Sequence, residues 1–230
     1  MSIVAKSLTL AIGQLGDRAI LKVLGKSLLI TIGILAVFAF ALAETLPRLL
    51  EYYLNTSGDA YVVVSWILSL GIAWFLFRIV ALAVMQFFAD EVVLQVEQCH
   101  YPDCANTPRK LPFREDLSNS IRGAMRALLF NALALPVAVV LFFTAIGPAV
   151  VFLLVNAVLL GRELTDMGWF RHRPAPDVPT PVGSFDRLLL GGAIAGLMAI
   201  PFINLLAPII GAAAGTHLVQ LSQGNLPEKS

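Results

Sequence analysis

The sequence predicts an all-α integral membrane fold, and three observations lead there. Of 230 residues, 58% are hydrophobic and only 13% charged, and the mean hydropathy is +0.81. Water-soluble domains carry about 25% charged residues. The apolar stretches run almost end to end, so one membrane domain is expected over 1–230. Sixteen Lys and Arg against fifteen Asp and Glu leave a formal charge of +1. That balance offers no basic surface for a nucleic-acid backbone, so nucleic acid is excluded as a partner. Two cysteines, Cys99 and Cys104, are too few for a disulfide scaffold.

The expected architecture is two long transmembrane helices plus two partly penetrating helical hairpins, preceded by an amphipathic amino-terminal helix. Residues 1–26 spread Lys6, Arg18, Lys22 and Lys26 through an amphipathic stretch with no prompt small-residue cleavage site, which predicts an interfacial helix rather than a secretory signal. The first span, 27–46, has Glu44 as its one charge and reaches about 30 Å, one bilayer crossing. The second span begins at Tyr61, carries Arg78, and continues past the hydrocarbon as an amphipathic stalk to 98, with Asp90, Glu91 and Glu97 opposite its apolar face until Pro102 stops it.

The hairpins are expected at 127–161, broken at Gly147-Pro148, and at 188–221, broken at Pro201 and Pro208. Their second limbs reach only about 20 Å, short of a hydrocarbon core near 30 Å, and this length favours re-entrant hairpins over full crossings. Such broken backbone must be shielded by protein. Cations concentrate before the first span, between Asp90 and Arg126, and between Arg162 and Arg187, which puts both termini in the cytoplasm.

Several residues invite a functional reading. Arg78 within a span marks either an ion path or a side chain that snorkels to the interface. Pro148 and Pro208 suit the first turns of half-helices whose amino ends, with Asn156, Asn204, Thr144 and Thr216 nearby, could receive an anion; small-residue helix packing explains the same glycines. Arg122 and Arg126, four residues apart, put two positive charges on one helix face, for an anion or for lipid phosphate. Arg162, Glu163 and Asp166 stand where the first hairpin leaves the membrane, a position that suits interfacial anchoring. Cys99, His100 and Cys104 lack the second Cys/His pair of a zinc site, and no catalytic motif or cofactor fingerprint occurs.

Particular segments carry a resemblance. Residues 156–164, Asn156 through Leu164, with Arg171 and His172 after them, and residues 201–208 followed by Gly211, Ala212, Ala213, Ala214, Gly215 and Thr216, resemble the CysZ family of sulfate permeases, which shares its membrane domain with the etoposide-induced protein group. The stalk, with Asp90, Glu91, Glu97 and then His100-Tyr101-Pro102, is similar to the bacterial branches of that family. The resemblance implies two long helices with two hairpins, a homo-oligomer in the bacterial inner membrane, and passage of sulfate for cysteine biosynthesis without a cofactor. It also implies an arginine pair before the first span, which falls here on Leu21 and Lys22. Lysine cannot offer the bidentate contact of arginine, so either sulfate affinity is weakened or the ligand differs.

The expected substrate contacts are therefore Lys22, Arg122, Arg126, Asn156 and Asn204, with Arg78, Glu91, Glu97, Arg162 and Glu163 forming ion pairs or a gate. Two readings of other classes compete. One is a non-transporting protein that shapes the bilayer or scaffolds partners, and the other is a lipid-directed enzyme built on His172 with Asp166 or Asp177. Replacing Lys22 by Ala is expected to lower oxyanion flux into proteoliposomes, and unchanged flux through a folded variant would remove Lys22 from the route.

Overall fold

The structure, a computed structural model, describes residues 2–54, 59–106, 112–201 and 203–228. Every regular element among them is helical. In order these are α1 (Ile3–Gly13), α2 (Arg18–Leu54), α3 (Asp59–His100), α4 (Pro102–Ala105), α5 (Phe113–Val140), α6 (Gly147–Phe170), α7 (Ser184–Met198) and α8 (Ala207–Ser222). They fall into two compact units, one made of Met1–Ile20 with Ala89–Ser230, the other of Leu21–Phe88.

The Leu21–Phe88 unit holds most of α2 and the amino-terminal part of α3. Its apolar side chains, among them Leu29, Val37, Phe40, Trp66 and Phe75, are exposed, as suits helices whose solvent is lipid. Among the described residues, Ile20–Leu46, Phe113–Thr144 and Gly147–Phe170 are long and apolar enough to cross a membrane.

In the other unit, α8 is the centre. Every residue from Ala207 to Gln220 is buried, the state of a helix apolar or small all round. Helices α1, α6 and α7 pack around it. The stretch Gly211 to Gly215 contains only glycine and alanine, so neighbouring backbones come close. A Cβ on Gly215 would meet the Leu164 carbonyl of α6. The same device fixes the α6–α7 crossing, where a Cβ on Gly191 would strike the Ala157 carbonyl and one on Gly161 the Arg187 carbonyl.

The amino-terminal helix is shorter than the expected 1–26. Ser2 caps α1 by accepting from the Ala5 N–H at 3.2 Å, and the buried Val4, Ser7 and Ala11 define its inner face. The helix ends at Gly13, a 3-10 turn covers Gln14–Gly16, and Asp17 is extended before α2 begins at Arg18. Three buried residues at helical spacing thus give α1 a protein partner, α8.

The hairpin limbs also differ from expectation. α6 does not stop where its apolar run ends but continues through Arg162, Glu163 and Asp166 to Phe170, 24 residues or about 36 Å. The 20 Å limb was an artefact of counting apolar residues only, because helix propagation does not stop at a charge. Length therefore no longer argues that this limb turns back. α7 and α8, with 15 and 16 residues, reach about 24 Å at most, less than a hydrocarbon core.

Both breaks put proline in the first turn of the following helix, where its missing N–H costs nothing. Before α6 the chain turns through the 3-10 segment Leu141–Thr144 and Ala145, whose φ of 61° is rare for a residue with a Cβ. The Thr144 hydroxyl locks this turn by donating to the Leu141 carbonyl at 2.7 Å and accepting from the Gly147 N–H at 3.0 Å.

The close crossing gives a stability test. Gly191→Ala is expected to lower the unfolding midpoint in detergent by the equivalent of about 2 kcal/mol, because backbone rather than a movable side chain fills the space. Gly25→Ala, with open space around its Cβ, should be neutral or slightly stabilising.

Candidate functional site

The unit containing α8 holds a cavity of about 810 Å³ bounded by α5, α6, the loop after α6 and the start of α7. Six arginines line it: Arg122, Arg126, Arg162, Arg171, Arg173 and Arg187. Four acids, Asp90, Glu163, Asp166 and Asp177, line it as well, and Glu97 and Glu115 lie behind the wall against Arg171 and Arg173. Helical spacing supplies part of this set, since Arg122 and Arg126 share a face of α5. The remainder comes from folding, which brings the carboxy-terminal half of α6 and the first turn of α7 onto that face.

The loop that closes the cavity is held by its own bonds. Arg173, only 5% exposed, donates to Glu115 at 2.6 Å and to the Pro176 carbonyl at 3.1 Å, and its guanidinium lies 4.3 Å from the Phe170 ring centroid. Trp169 donates through Nε1 to the Val178 carbonyl at 3.3 Å. At the α7 side, Arg187 donates to Asp166 at 2.9 Å. These bonds do not exhaust the donors. Asn119 Nδ2 and the Nε atoms of Arg171, Arg173 and Arg187 are buried without a hydrogen-bond partner, and all four residues line the cavity. Buried donors without acceptors are costly unless a ligand or water supplies the acceptor. The arrangement is thus chemically suited to a group rich in acceptor oxygens and negative charge.

A second polar cluster lies at the carboxy-terminal end of α3. Glu97, 1% exposed, accepts from His172 Nε2 at 2.7 Å and lies 3.6 Å from Arg171 Nε, so it ties α3 to a cavity arginine. One turn on, the Tyr101 hydroxyl is 2.8 Å from His217 Nδ1, and His217 Nε2 is 3.4 Å from Gln14 Oε1. Burial pushes the Tyr101 phenol above its ordinary range and keeps its proton in place. One tautomer then satisfies both contacts, with Tyr101 donating to Nδ1 and Nε2–H donating to Gln14. His100 packs edge-on against His217 at 5.2 Å, and Cys104 Sγ donates to Gln220 at 3.4 Å. Burial, then Glu97 and Asp103, raise the Cys104 thiol above the usual range.

The sequence candidates sort unevenly. Arg122, Arg126, Arg162 and Glu163 meet in the cavity. Asn156 and Asn204 are not among its lining residues. Asn156 donates to the Phe152 carbonyl of its own helix at 2.8 Å, and Thr216 likewise to Ala212. Lys22 is exposed on α2 in the Leu21–Phe88 unit. Arg78 belongs to α3 in the same unit, and its side chain lies outside the described residues. Glu91 is half-buried on α3. Asp166 pairs with Arg187 rather than with Arg162, and the carboxylate at His172 is Glu97 instead of Asp166 or Asp177. Sequence reasoning missed Arg171, Arg173 and Arg187 as partners of the α5 arginines; the cation-rich segment 162–187 was their one visible signal.

A family model described as Sulfate transporter CysZ/Etoposide-induced protein 2.4 matches residues 7–208. Among curated proteins and among solved structures, nothing matches.

Tyr101→Phe removes the donor to His217 Nδ1 and leaves a buried acceptor unpaired. It is expected to cost about 1–3 kcal/mol of stability, read as a lower unfolding midpoint of the purified protein.

Proposed function

The chain belongs to the Sulfate transporter CysZ/Etoposide-induced protein 2.4 family, and we propose that it is a permease or channel for sulfate or a related small oxyanion. The observation that carries this reading is the cavity lined by six arginines. A tetrahedral oxyanion offers acceptor oxygens and negative charge to the guanidinium groups that face the cavity. The cavity's volume of about 810 Å³ leaves room for an ion that keeps part of its water, as conduction requires.

In this mechanism the clustered guanidinium groups attract anions into the cavity. Arg122 and Arg126 on α5 and Arg162 on α6 provide charge-assisted hydrogen bonds that stand in for hydration water. Arg171 is steadied by Glu97, and Arg173 by Glu115. The cavity draws its arginines from the cation-rich segments 90–126 and 162–187, which supports a cytoplasmic position for it and for both termini. On this reading the protein is a multi-pass homo-oligomer of the bacterial inner membrane that delivers sulfate for cysteine biosynthesis. Lys22, Asn156 and Asn204 are further proposed contacts for the anion on this reading. Glu91, Glu97, Arg162 and Glu163 are proposed as gating or ion-pairing residues, and Arg78 is proposed with them from its place in the sequence. The bilayer-shaping alternative loses support because the buried face of α1 is covered by α8.

Uptake of labelled sulfate into proteoliposomes, with sulfite, molybdate and phosphate as competitors and empty liposomes as control, tests the reading. Saturable uptake is expected, and an Arg126→Gln/Arg162→Gln variant should reduce it by about tenfold or more. Absence of flux of any oxyanion through folded, inserted protein would transfer the assignment to the bilayer-shaping role.

A further inference from the structure

An anion site made only of arginines would hold its ligand too long for transport, because binding must be weak enough to permit release. The cavity contains a group that counters this. Asp166 lines it and meets Arg187 at 2.9 Å, and the pair is shielded but reachable, with side chains 19% and 13% exposed. Arg162, Arg126 and Arg173 also act electrostatically on the Asp166 charge. The other lining acids are placed differently. Asp90, Glu163 and Asp177 are exposed. Among the described lining residues, the acids that pair directly with a lining arginine are Asp166 and no other.

Resting on the permease reading above, we propose that Asp166 is a tethered counter-anion that competes with the incoming oxyanion for Arg187 and its neighbours and thereby sets the rate of release. An arriving oxyanion takes over the hydrogen bond that Asp166 accepts from Arg187. On departure the carboxylate returns to Arg187, so that Nη2 keeps an acceptor throughout. No bond is made or broken covalently, and the exchange needs no co-reactant. Asp166 thus acts through Arg187, as a residue that tunes affinity.

The test uses the full-length protein in nanodiscs, with labelled sulfate as the probe for equilibrium binding and dissociation, and proteoliposomes for flux. Asp166→Asn is expected to bind sulfate about fivefold more tightly, the scale of one part-buried charge pair, and to release it more slowly, so that flux at saturating sulfate falls. Asp166→Glu should restore wild-type behaviour. A purely structural role would weaken binding and flux together, so tighter binding with slower flux is the distinguishing signature. If Asp166→Asn fails to fold, Arg187→Gln is compared with Asp166→Asn/Arg187→Gln. The double variant should bind sulfate more tightly than Arg187→Gln alone, since the unpaired carboxylate is gone. Wild-type binding with unchanged or weaker affinity in Asp166→Asn, or a double variant no tighter than Arg187→Gln, would overturn this inference and leave the permease reading standing. No sulfate binding by the wild-type protein would overturn both.

Discussion

The burial of α8 is the constraint on which the larger unit depends. A helix enclosed on all sides can be approached by three others only where its side chains are small, and the run from Gly211 to Gly215 supplies that surface. The consequence propagates outward. Leu164 of α6 seats its backbone on Gly215, and the α6–α7 crossing closes at Gly161 and Gly191. That crossing brings the first turn of α7 to the carboxy-terminal half of α6, and so brings Arg187 to Asp166. The charge arrangement of the cavity therefore depends on the close glycine packing of α6 with α7 and α8.

Burial also sets what polar groups are allowed near α8. His217 and Gln220 are fully buried, and each has a partner from a distant segment: Tyr101 and Gln14 for His217, and Cys104 for Gln220, which also accepts from the nearby Asn225. Such contacts secure the end of α3 and the amino-terminal helix to the same core. Glu97 extends this anchorage to Arg171, so the stalk is mechanically continuous with the cavity wall. The amino-terminal helix is accordingly part of the protein core in this unit, with Val4, Ser7 and Ala11 as its inward face.

The cavity opposes two electrostatic demands. Six guanidinium groups gathered in one space repel one another, and the lining acids reduce that repulsion without cancelling it. The clustered guanidinium groups are what make the space fit for an oxyanion, while Glu97, Glu115 and Asp166 keep individual arginines in place. Folding stability and ligand affinity thus draw on the same residues, as is common where binding groups are preorganised.

Much of the fold was legible in sequence because hydrophobic length and proline placement are local quantities. Composition alone pointed to an all-helical membrane protein, and Pro148 and Pro208 marked the starts of α6 and α8. Local spacing also paired Arg122 with Arg126. The extent of α6 was not legible from apolar length, since a helix continues through charged residues once nucleated. The cavity was less legible still. Arg171, Arg173 and Arg187 join the α5 arginines, Glu97 meets His172 across 75 positions, and Tyr101 meets His217 across 116. These pairings are decided by which backbones can approach closely around α8, a property of three-dimensional packing that no single segment encodes.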